Sequence, residues 1–257
     1  MLPQERLHRI HSLLIQFKRI STEQIMNELN VSRETARRDM IELEALGSAK
    51  RVHGGLVLST EMDAEAPLQI RNTQMVKEKR LICRAAIQQL RAGQTIFIDA
   101  GSTTTILAEE LRTLSGLTII TNSLHAALQL MNTSEQSQAP HKIILLGGRV
   151  SHLPQTQGEA VIAEIYRYQA DVCLLSPAGV DQHHGASNYA IEEAHIAQAM
   201  VKCSQRTIIL ADERKLGRVS RINYAKADEI TMLITNQSKN KELLNDFKRY
   251  FKEVLVV

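Results

Sequence analysis

The feature that most constrains this chain is an alternation of short apolar runs and amphipathic segments, which continues from about residue 73 to the end. Runs such as "TIFI", "LTIIT" and "RTIIL" have the length of strands, and apolar residues recur every three or four positions in the segments between them. Apolar strands that alternate with helices form a largely parallel sheet covered on both faces. We therefore predict an α/β domain at residues 73–257.

Residues 1–58 follow a different pattern, with three helical segments and then a short extended piece. The second segment begins with a capping box formed by Ser21 and Gln24. The third runs from the N-cap residue Ser32 to a glycine stop at Gly47. A short helix, a tight turn and a longer helix form the helix-turn-helix pattern, and the extended piece that follows predicts a two-stranded wing.

The two patterns divide the chain into three parts. We predict a winged helix-turn-helix domain at residues 1–58, a linker at 59–72 and the α/β domain at 73–257. The linker assignment rests on the lack of a sustained period and on Pro67. The predicted fold class is α/β, with a small N-terminal domain and a larger, mostly parallel C-terminal domain.

Composition argues against several other classes of protein. The N-terminal apolar residues are interrupted by charges, unlike a signal peptide, and no apolar run approaches the length of a membrane span. The three cysteines are far apart and form no C-x-x-C pair, so they predict neither a zinc site nor a disulfide framework. Adjacent His183 and His184 are weak evidence for a metal. We expect a cytoplasmic protein with no cofactor, no bound metal and no membrane partner.

The N-terminal turns of the third helix carry side chains that suit nucleic acid. Recognition helices contact DNA with these turns, where arginine can bind guanine or phosphate and a hydroxyl can donate a hydrogen bond. The wing adds basic residues that would lie beside the DNA backbone or a groove. The candidate DNA-binding residues are Ser32, Arg33, Thr35, Arg37, Arg38, Lys50, Arg51 and His53.

The residues alone leave two interpretations of this arginine cluster open. Residues 1–58 hold nine Lys and Arg against seven Asp and Glu, so the arginines can equally form a solvated face with Glu34, Asp39, Glu42 and Glu44. Helix-turn-helix shapes also occur as packing modules. The joint pattern of a cap, a short turn, clustered arginines and a basic wing favours DNA binding.

Several predicted strands of the α/β domain end in residues that suit a phosphorylated ligand. The stretch "DAGSTTT" joins a strand to a helix, and the N–H groups at a helix start favour an anion. Asp99 suits sugar hydroxyls, Gly101 allows a tight turn, and Lys215 can offset phosphate charge. Ligands of such sheets bind at the carboxyl ends of the strands. The candidate effector-binding residues are Asp99, Gly101, Ser102, Thr103, Thr104, Thr121, Asn122, Gly147, Gly148 and Lys215.

Both halves of the chain resemble the DeoR family of bacterial sugar-metabolism regulators. The runs "TARRD" and "RVHGG" carry the N-terminal likeness, and "DAGSTT", "ITNS", "LLGG" and "AD-x-x-K-x-G" carry the C-terminal one. Within the family the chain is most similar to the glycerol-3-phosphate regulon repressor type. The chain departs from the usual pattern at Ala36, at Ser48 and Ala49, and at Arg214, where most members have serine before the lysine.

The resemblance implies a transcriptional repressor with a sugar-phosphate-isomerase-like effector domain. Its expected partners are operator double-stranded DNA and a phosphorylated sugar or polyol, and paired half-sites predict a homo-oligomer. The alternative is a sugar-phosphate isomerase-like enzyme fused to a DNA-binding domain. Such an enzyme needs a carboxylate base, and Asp181, Glu192, Glu193 and Asp212 are available. The lysine-glycine-rich loop typical of the isomerase has no match here, so we expect no catalysis and no catalytic residues.

Overall fold

A computed structural model describes residues 2–17, 19–46, 48–52, 54–58, 68–131, 140–150, 153–238 and 240–257. The chain separates into two compact units, Met1–Gln74 and Met75–Val257. Within the described residues, no helix has the length and apolar character needed to cross a membrane.

The first unit contains four helices and three short strands among its described residues. The helices are α1 (Pro3–Phe17), α2 (Thr22–Leu29), α3 (Arg33–Ala45) and α4 (Leu68–Thr73). The strands are β1 (Arg19–Ser21), β2 (Ala49–Val52) and β3 (Gly55–Leu58). They form one antiparallel sheet in the order β1-β3-β2. This is a winged helix-turn-helix, as predicted.

Local capping sets the starts of the two central helices. The Ser21 hydroxyl accepts the Gln24 N–H at 3.1 Å, and the Gln24 side-chain oxygen accepts the Ser21 N–H at 2.8 Å. The predicted capping box of α2 is therefore confirmed. At the start of α3, the Ser32 hydroxyl accepts the N–H of Thr35 at 3.2 Å, which confirms the predicted N-cap.

The wing differs from the prediction because a third strand joins it. Arg19–Ser21 pairs with β3, so that Ile20 lies opposite Leu56 and Ser21 opposite Gly55. A side chain at Gly55 would overlap the carbonyl oxygen of Ile20, which explains a glycine at this position. Strand β1 was not predicted, since three residues are too few to display a period of two.

Part of the predicted linker is a helix that belongs to the first unit. Helix α4 occupies residues 68–73, and its Ile70 is buried in the same apolar cluster as Ile10 and Leu14 of α1. The first unit therefore extends to Gln74, beyond the predicted boundary at residue 58. Residues 59–67 of the predicted linker lie outside the described residues.

The second unit alternates strands and helices along its length. Its helices are α5 (Val76–Ile87), α6 (Ser102–Leu111), α7 (Leu124–Met131), α8 (Glu159–Ile165), α9 (Ile191–Lys202) and α10 (Lys241–Tyr250). Its strands are β4 (Thr95–Ile98), β5 (Thr118–Thr121), β6 (Lys142–Leu145), β7 (Arg149–Val150), β8 (Thr156–Gln157), β9 (Ala170–Leu175), β10 (Gly179–Asp181), β11 (Gly185–Asn188), β12 (Ser204–Leu210), β13 (Ile222–Ala225), β14 (Met232–Thr235) and β15 (Val254–Val256).

Seven of these strands form one sheet in the order β15-β14-β12-β9-β4-β5-β6, and every pair in it is parallel. Alternate residues of β4 face opposite cores. Phe97 joins the cluster with α8, α9 and α10, whereas Ile96 and Ile98 join the cluster with α5, α6 and α7. The predicted parallel sheet with helices on both faces is therefore confirmed.

Two small antiparallel sheets accompany the main sheet and were not predicted. Strands β7 and β8 form a pair, and β10, β11 and β13 form a three-stranded sheet. The three-stranded sheet pairs segments about 40 positions apart, such as Ala186 with Ala225. Gly185 has a φ of +77°, and a side chain there would overlap the Ala225 carbonyl oxygen. Pairing at this range leaves no local period in the sequence.

Candidate functional site

Helix α3 presents its arginines to solvent and its apolar residues to the core. Ala36, Met40 and Leu43 are buried, as the helical spacing predicts. Arg33, Arg37 and Arg38 are exposed. The predicted recognition face is thus an exposed face of the first unit, and its guanidinium groups are positioned to meet an external polyanion.

Ser32 and Thr35 are exposed or half-buried at the start of α3, and they are already bonded to each other. The two hydroxyl oxygens lie 2.9 Å apart, and either can be the donor. One hydroxyl proton is therefore used inside the cap, and one remains for an outside acceptor. The pair can give DNA one donor, in addition to fixing the helix start.

The wing places Lys50 and Arg51 on the exposed surface of β2. Arg51 is held by Glu44 of α3, which accepts the Arg51 N–H at 3.0 Å and lies 3.6 Å from its guanidinium. Arg51 is therefore half of an exposed ion pair, and Lys50 precedes it on the same strand; their contact with DNA stays a prediction. The remaining predicted wing residue, His53, lies outside the described residues.

One acid of α3 has a different place from the one the sequence suggested. Asp39 was grouped with the solvated carboxylates, but it is 1% exposed and accepts two hydrogen bonds from Arg6 of α1, at 2.7 and 2.8 Å. The hydrogen bond that Arg6 donates to Asp39 raises the pKa of Arg6, although burial of the guanidinium opposes the rise. Asp39 therefore anchors α3 to α1, with its carboxylate satisfied by a bidentate pair.

The second candidate site lies at the carboxyl edge of the parallel sheet. Residues that follow three adjacent strands meet there: Asp99 after β4, Ser176 after β9 and Asp212 after β12. Asn122 follows β5, on the other side of β4. The sheet order thus brings together the predicted strand ends at one edge, in agreement with where ligands bind such sheets.

Helix α6 begins at this edge without a side-chain cap. Its N-cap residue is Gly101, which offers no side chain to accept the first N–H groups. Thr104 and Thr105 instead donate their hydroxyls to the Gly101 carbonyl, at 3.1 and 2.8 Å. The buried Thr103 hydroxyl has no hydrogen-bond partner among the described residues. An anion would satisfy both the helix start and this hydroxyl.

Gly101 is not required for the turn that the sequence suggested. Its φ is −160°, an extended conformation that any residue adopts. A side chain here would make ordinary contacts with Thr104 and Ser176. A side chain at Gly101 would therefore meet no backbone clash, and what the glycine leaves at the start of α6 is a helix without a side-chain cap.

Asp99 is the buried acid of the site. One carboxylate oxygen accepts the N–H of Ser176 at 2.9 Å, and the other has no hydrogen-bond partner among the described residues. Burial raises the pKa of Asp99 to about 7; the Ser176 N–H, the nearby Thr104 hydroxyl and the charge of Lys215 oppose the rise, and Glu193 adds to it. An acceptor that lacks a partner at this edge suits a ligand hydroxyl.

Lys215 reaches the same place from the loop after β12. Its side chain is buried, and its ammonium group donates to the Ser176 hydroxyl at 3.2 Å and to the Pro177 carbonyl. The lysine therefore lies beside Asp99, through Ser176, and adds positive charge to the edge where α6 begins. The structure brings these two predicted residues together.

Arg214 has a structural partner that the sequence did not reveal. Its guanidinium binds both oxygens of the buried Asp212, at 3.0 and 3.3 Å. Burial would raise the pKa of Asp212, but the bonds from Arg214 and the charge of Lys215 lower it. Arg214 thus balances the charge of Asp212 and fixes the short turn that carries Lys215.

The residues after β5 are tied mainly to the protein itself. The Thr121 hydroxyl accepts the Ser123 N–H at 3.0 Å, and the Asn122 amide donates to the Thr156 carbonyl at 3.0 Å. The Asn122 side-chain oxygen is buried and has no hydrogen-bond partner among the described residues. Asn122 therefore has an acceptor available, whereas Thr121 serves the turn.

The two glycines after β6 have packing explanations. The Gly147 N–H donates to Glu164 at 2.7 Å, so it is already in use. A side chain at Gly148 would overlap Val161 and the Gln157 carbonyl. Strand β6 is also at the sheet edge, with β5 between it and β4. These contacts explain both glycines by packing, and their part in effector binding stays a prediction.

Two residues near Asp99 and α6 were missed or left undecided by the sequence. Lys79 of α5 is 1% exposed and donates to the Ser102 hydroxyl at 2.9 Å. Glu193 of α9 accepts a hydrogen bond from Gln155 at 3.0 Å, and its negative charge helps to raise the pKa of Asp99. Lysine is rarely fully buried unless it is paired. A lysine in an amphipathic helix gives no sequence signal of its burial.

Among the described residues, no group of three or more His, Cys, Asp or Glu side chains is placed to hold a metal ion. His183 and His184 instead donate their N–H groups to Asp181 in the turn between β10 and β11, at 2.9 and 3.0 Å. The three cysteines are buried and unpaired with one another.

Comparison with known proteins gives matches over nearly the whole chain. The DeoR-like helix-turn-helix domain matches residues 6–62, and the DeoR C-terminal sensor domain matches residues 74–237. The HTH-type transcriptional regulator GolR of Listeria innocua is 32% identical over 252 residues, which is 96% of each chain. The HTH-type transcriptional repressor GlcR of Bacillus subtilis is 33% identical over 100% of this chain and 97% of its own.

A third relative, the lactose phosphotransferase system repressor of Staphylococcus aureus, is 30% identical over 97% of this chain and 98% of its own. The family matches divide at residues 62 and 74, close to the boundary between the two units. The resemblance seen in the sequence motifs is confirmed over both parts, and the chain belongs to the DeoR family of transcriptional regulators.

Proposed function

We propose that this chain represses a carbohydrate-metabolism operon and that a phosphorylated sugar or polyol controls it. The first unit binds operator DNA, and the second binds the effector at the carboxyl edge of its sheet. The observation that carries the proposal is the uncapped start of α6 beside Asp99 and Lys215. Relatives that span nearly the full chain are named as repressors, one of them of a lactose system.

The phosphate end of the effector is proposed to lie at the start of α6. The N–H groups of the first turn and the positive end of the helix favour an anion, and Ser102 and Thr103 add hydroxyls. The ammonium of Lys215 adds a full positive charge nearby. A divalent phosphate is then matched by donors that are already buried and fixed.

The hydroxyl end of the effector is proposed to lie against Asp99 and Asn122. Each has one buried side-chain oxygen without a hydrogen-bond partner among the described residues. Sugar and polyol hydroxyls are donors, so they would satisfy both oxygens. A simple anion such as sulfate would leave them unsatisfied, and this supports a ligand that carries phosphate and hydroxyl groups together.

On the DNA side, the exposed Arg33, Arg37 and Arg38 support binding through the start of α3. Operator half-sites are commonly paired, so the chain is proposed to act as a homo-oligomer in the cytoplasm. The effector changes repression only if it binds one arrangement of the DNA-binding units more tightly than another. We take relief of repression as the direction of the response.

One observation favours a second function, an isomerase-like reaction at the same edge. Burial raises the pKa of Asp99 to about 7, which is the range of an effective general base. Glu193 is a second carboxylate nearby. Incubation of the chain with ribose 5-phosphate decides this case: steady formation of the ketose would establish an enzyme, and unchanged substrate supports the sensor.

The effector proposal is tested by thermal shift with the full chain. The panel contains glycerol 3-phosphate, ribose 5-phosphate and glucose 6-phosphate, each beside its unphosphorylated counterpart. We expect stabilisation only by a phosphorylated compound, with at least a tenfold loss of affinity in Ser102→Ala and Lys215→Ala, since each removes a charged or hydroxyl contact.

The matched control is Lys202→Ala, which removes an exposed lysine from α9 of the same unit. It should leave the response unchanged. Two results would contradict the proposal: no stabilisation by any phosphorylated sugar or polyol, or a full response in both Ser102→Ala and Lys215→Ala.

A further inference from the structure

We propose that Lys79 is a positioning residue for the effector phosphate and that it acts through the hydroxyl of Ser102. The inference deepens the proposed function, on which it rests, because it concerns the same anion site. It adds a residue from α5 to a site that the sequence placed entirely on strand ends and α6.

The first observation is where Lys79 lies. It belongs to the first turn of α5, yet its side chain is 1% exposed and is among the largest fully buried side chains of the described chain. Its ammonium group lies 2.9 Å from the Ser102 hydroxyl oxygen, at the first residue of α6. Taking an ammonium group out of water costs free energy, so its place at this helix start calls for a specific role.

The second observation is what this contact does to Ser102. An ammonium group has three donors and no acceptor, so the Ser102 oxygen must accept the bond. The proton of the Ser102 hydroxyl is then directed elsewhere, and the described residues provide no acceptor for it. Lys79 thereby makes Ser102 a donor at the place where the N–H groups of α6 also point.

The third observation separates this role from simple attachment of α5 to α6. The two helices are already joined by Arg80, which binds Glu109 at 2.8 Å and Glu110 at 2.6 Å. Arg84 adds a contact to Glu110 at 3.1 Å, and the Cys83 thiol donates to the Thr103 carbonyl. The helix pair therefore has its own attachments, and Lys79 is directed to the ligand end of α6.

The chemistry of the arrangement is a short relay of polarised hydrogen bonds. The positive charge of Lys79 draws electron density from the Ser102 oxygen, which strengthens the bond that its proton donates to a phosphate oxygen. Removal of Lys79 frees the Ser102 hydroxyl to rotate and to act as an acceptor. The phosphate would then lose a directed donor.

The test is a double-mutant cycle with inorganic phosphate as the probe, measured by calorimetry and thermal shift on the full chain. Lys79→Met keeps the length of the side chain and removes the donor, and Ser102→Ala removes the hydroxyl. We expect each single variant to weaken phosphate binding about tenfold. Because one acts through the other, the double variant should be little weaker than Ser102→Ala alone.

The matched control is Lys77→Met, which removes an exposed lysine from the same turn of α5. It should bind phosphate like the wild type. If Lys79→Met also binds like the wild type, or if the two losses multiply in the double variant, the Lys79 proposal is overturned while the effector site stands. If the wild-type chain does not bind inorganic phosphate, the Lys79 proposal is overturned, whereas the proposed function is decided separately by the panel of phosphorylated sugars and polyols.

A measurement on the wild-type chain covers the case in which Lys79→Met does not fold. Lysine side chains labelled with nitrogen-15 give a separate ammonium signal when they are buried and hydrogen-bonded. We expect the Lys79 signal to shift on titration with inorganic phosphate. A Lys79 signal that phosphate leaves unchanged would overturn the proposal without any substitution in the chain.

Discussion

The two units prepare for anions in opposite ways. The first carries Arg33, Arg37 and Arg38 on the exposed surface of α3. The second buries its polar groups at the edge of the sheet, where Asp99 is 7% exposed and Lys215 is 8% exposed. The arginines of α3 are in contact with solvent, whereas Asp99 and Lys215 are buried away from it.

The difference follows from the kind of ligand each unit is proposed to bind. DNA is a long polyanion, and its binding is driven by release of counterions to exposed lysines and arginines. A small effector makes few contacts, so each must be strong, and a buried donor is stronger than one screened by water and salt. Salt should therefore weaken the first interaction far more than the second.

The ion pair between Arg6 and Asp39 is an exception to the exposed charges of the first unit. Its carboxylate is buried like the polar groups of the second unit, but the pair joins α1 to α3. Burial of charge thus has two places in this chain: it joins α3 to α1 in one unit and lies at the proposed effector site in the other.

The substitution Asp99→Asn tests whether the second unit holds a buried acid. The pKa of Asp99 is raised to about 7 in the folded chain, from an ordinary 3.8. Its contribution to stability is therefore fully present below pH 3.8 and is lost as the pH rises through 7. Asparagine has no charge to bury. The free energy of unfolding of the variant, relative to that of the wild type, should therefore grow by about 4 kcal/mol between pH 4 and pH 8.

The measurement is urea unfolding of the ligand-free chain as a function of pH. Asp228→Asn is the control, because it removes the same charge from an exposed position. A difference between Asp99→Asn and the wild type that stays constant with pH would show that Asp99 is not held as a buried acid.

The exception in the first unit is tested by Asp39→Asn. The change leaves the Arg6 guanidinium without its bidentate carboxylate, and breaking a buried pair costs about 3 to 5 kcal/mol. We expect the lower figure, about 3 kcal/mol, because Arg6 is 13% exposed and can turn toward water. Thermal unfolding of the full chain measures it, followed by a probe in the first unit.

Glu34→Gln is the control for this prediction, as it removes an exposed carboxylate from the same helix. It should change the free energy of unfolding by less than about 0.5 kcal/mol. If Asp39→Asn and Glu34→Gln behave alike, burial does not distinguish the two acids.

The smallest expected effect concerns the exposed arginines of α3 and their contribution to operator affinity. Arg37→Ala and Arg38→Ala should each weaken operator binding by about 1 to 3 kcal/mol. A residue that contacts phosphate should also reduce the slope of affinity against salt by about one. Neither change should alter stability, since both side chains are exposed.

Operator affinity is measured at several salt concentrations, with Arg112→Ala in the second unit as the matched loss of an exposed arginine. If both variants of α3 keep the affinity and the salt slope of the wild type, the start of α3 is not the DNA-binding surface.

Much of the fold was predictable because local patterns specify it. The capping box at Ser21, the N-cap at Ser32 and the buried face of α3 each depend on residues within a few positions of one another. The alternation of strands and helices predicted the parallel sheet for the same reason. Strand β1 and the three-stranded sheet depend on distant partners, and the sequence did not reveal them.

The candidate site divides in the same way. Strand ends are visible in the sequence, so Asp99, Asn122 and Lys215 were identified. Burial by another element is not visible, so Lys79 was missed, and Asp39 was grouped with the solvated acids. Gly148 was included among the candidate effector residues, although the packing of Val161 explains it, because a close packing contact and a binding loop both favour glycine.

The separation of Asp99 and Ser176 has a consequence for how the chain acquires its two abilities during translation. These residues are 77 positions apart, and Lys215 follows 39 positions after Ser176. The first unit closes within the first 74 residues and leaves the ribosome first. A nascent chain can therefore complete its helix-turn-helix unit well before Lys215 is available to join Asp99 and Ser176, so the proposed DNA-binding surface forms before the proposed effector site.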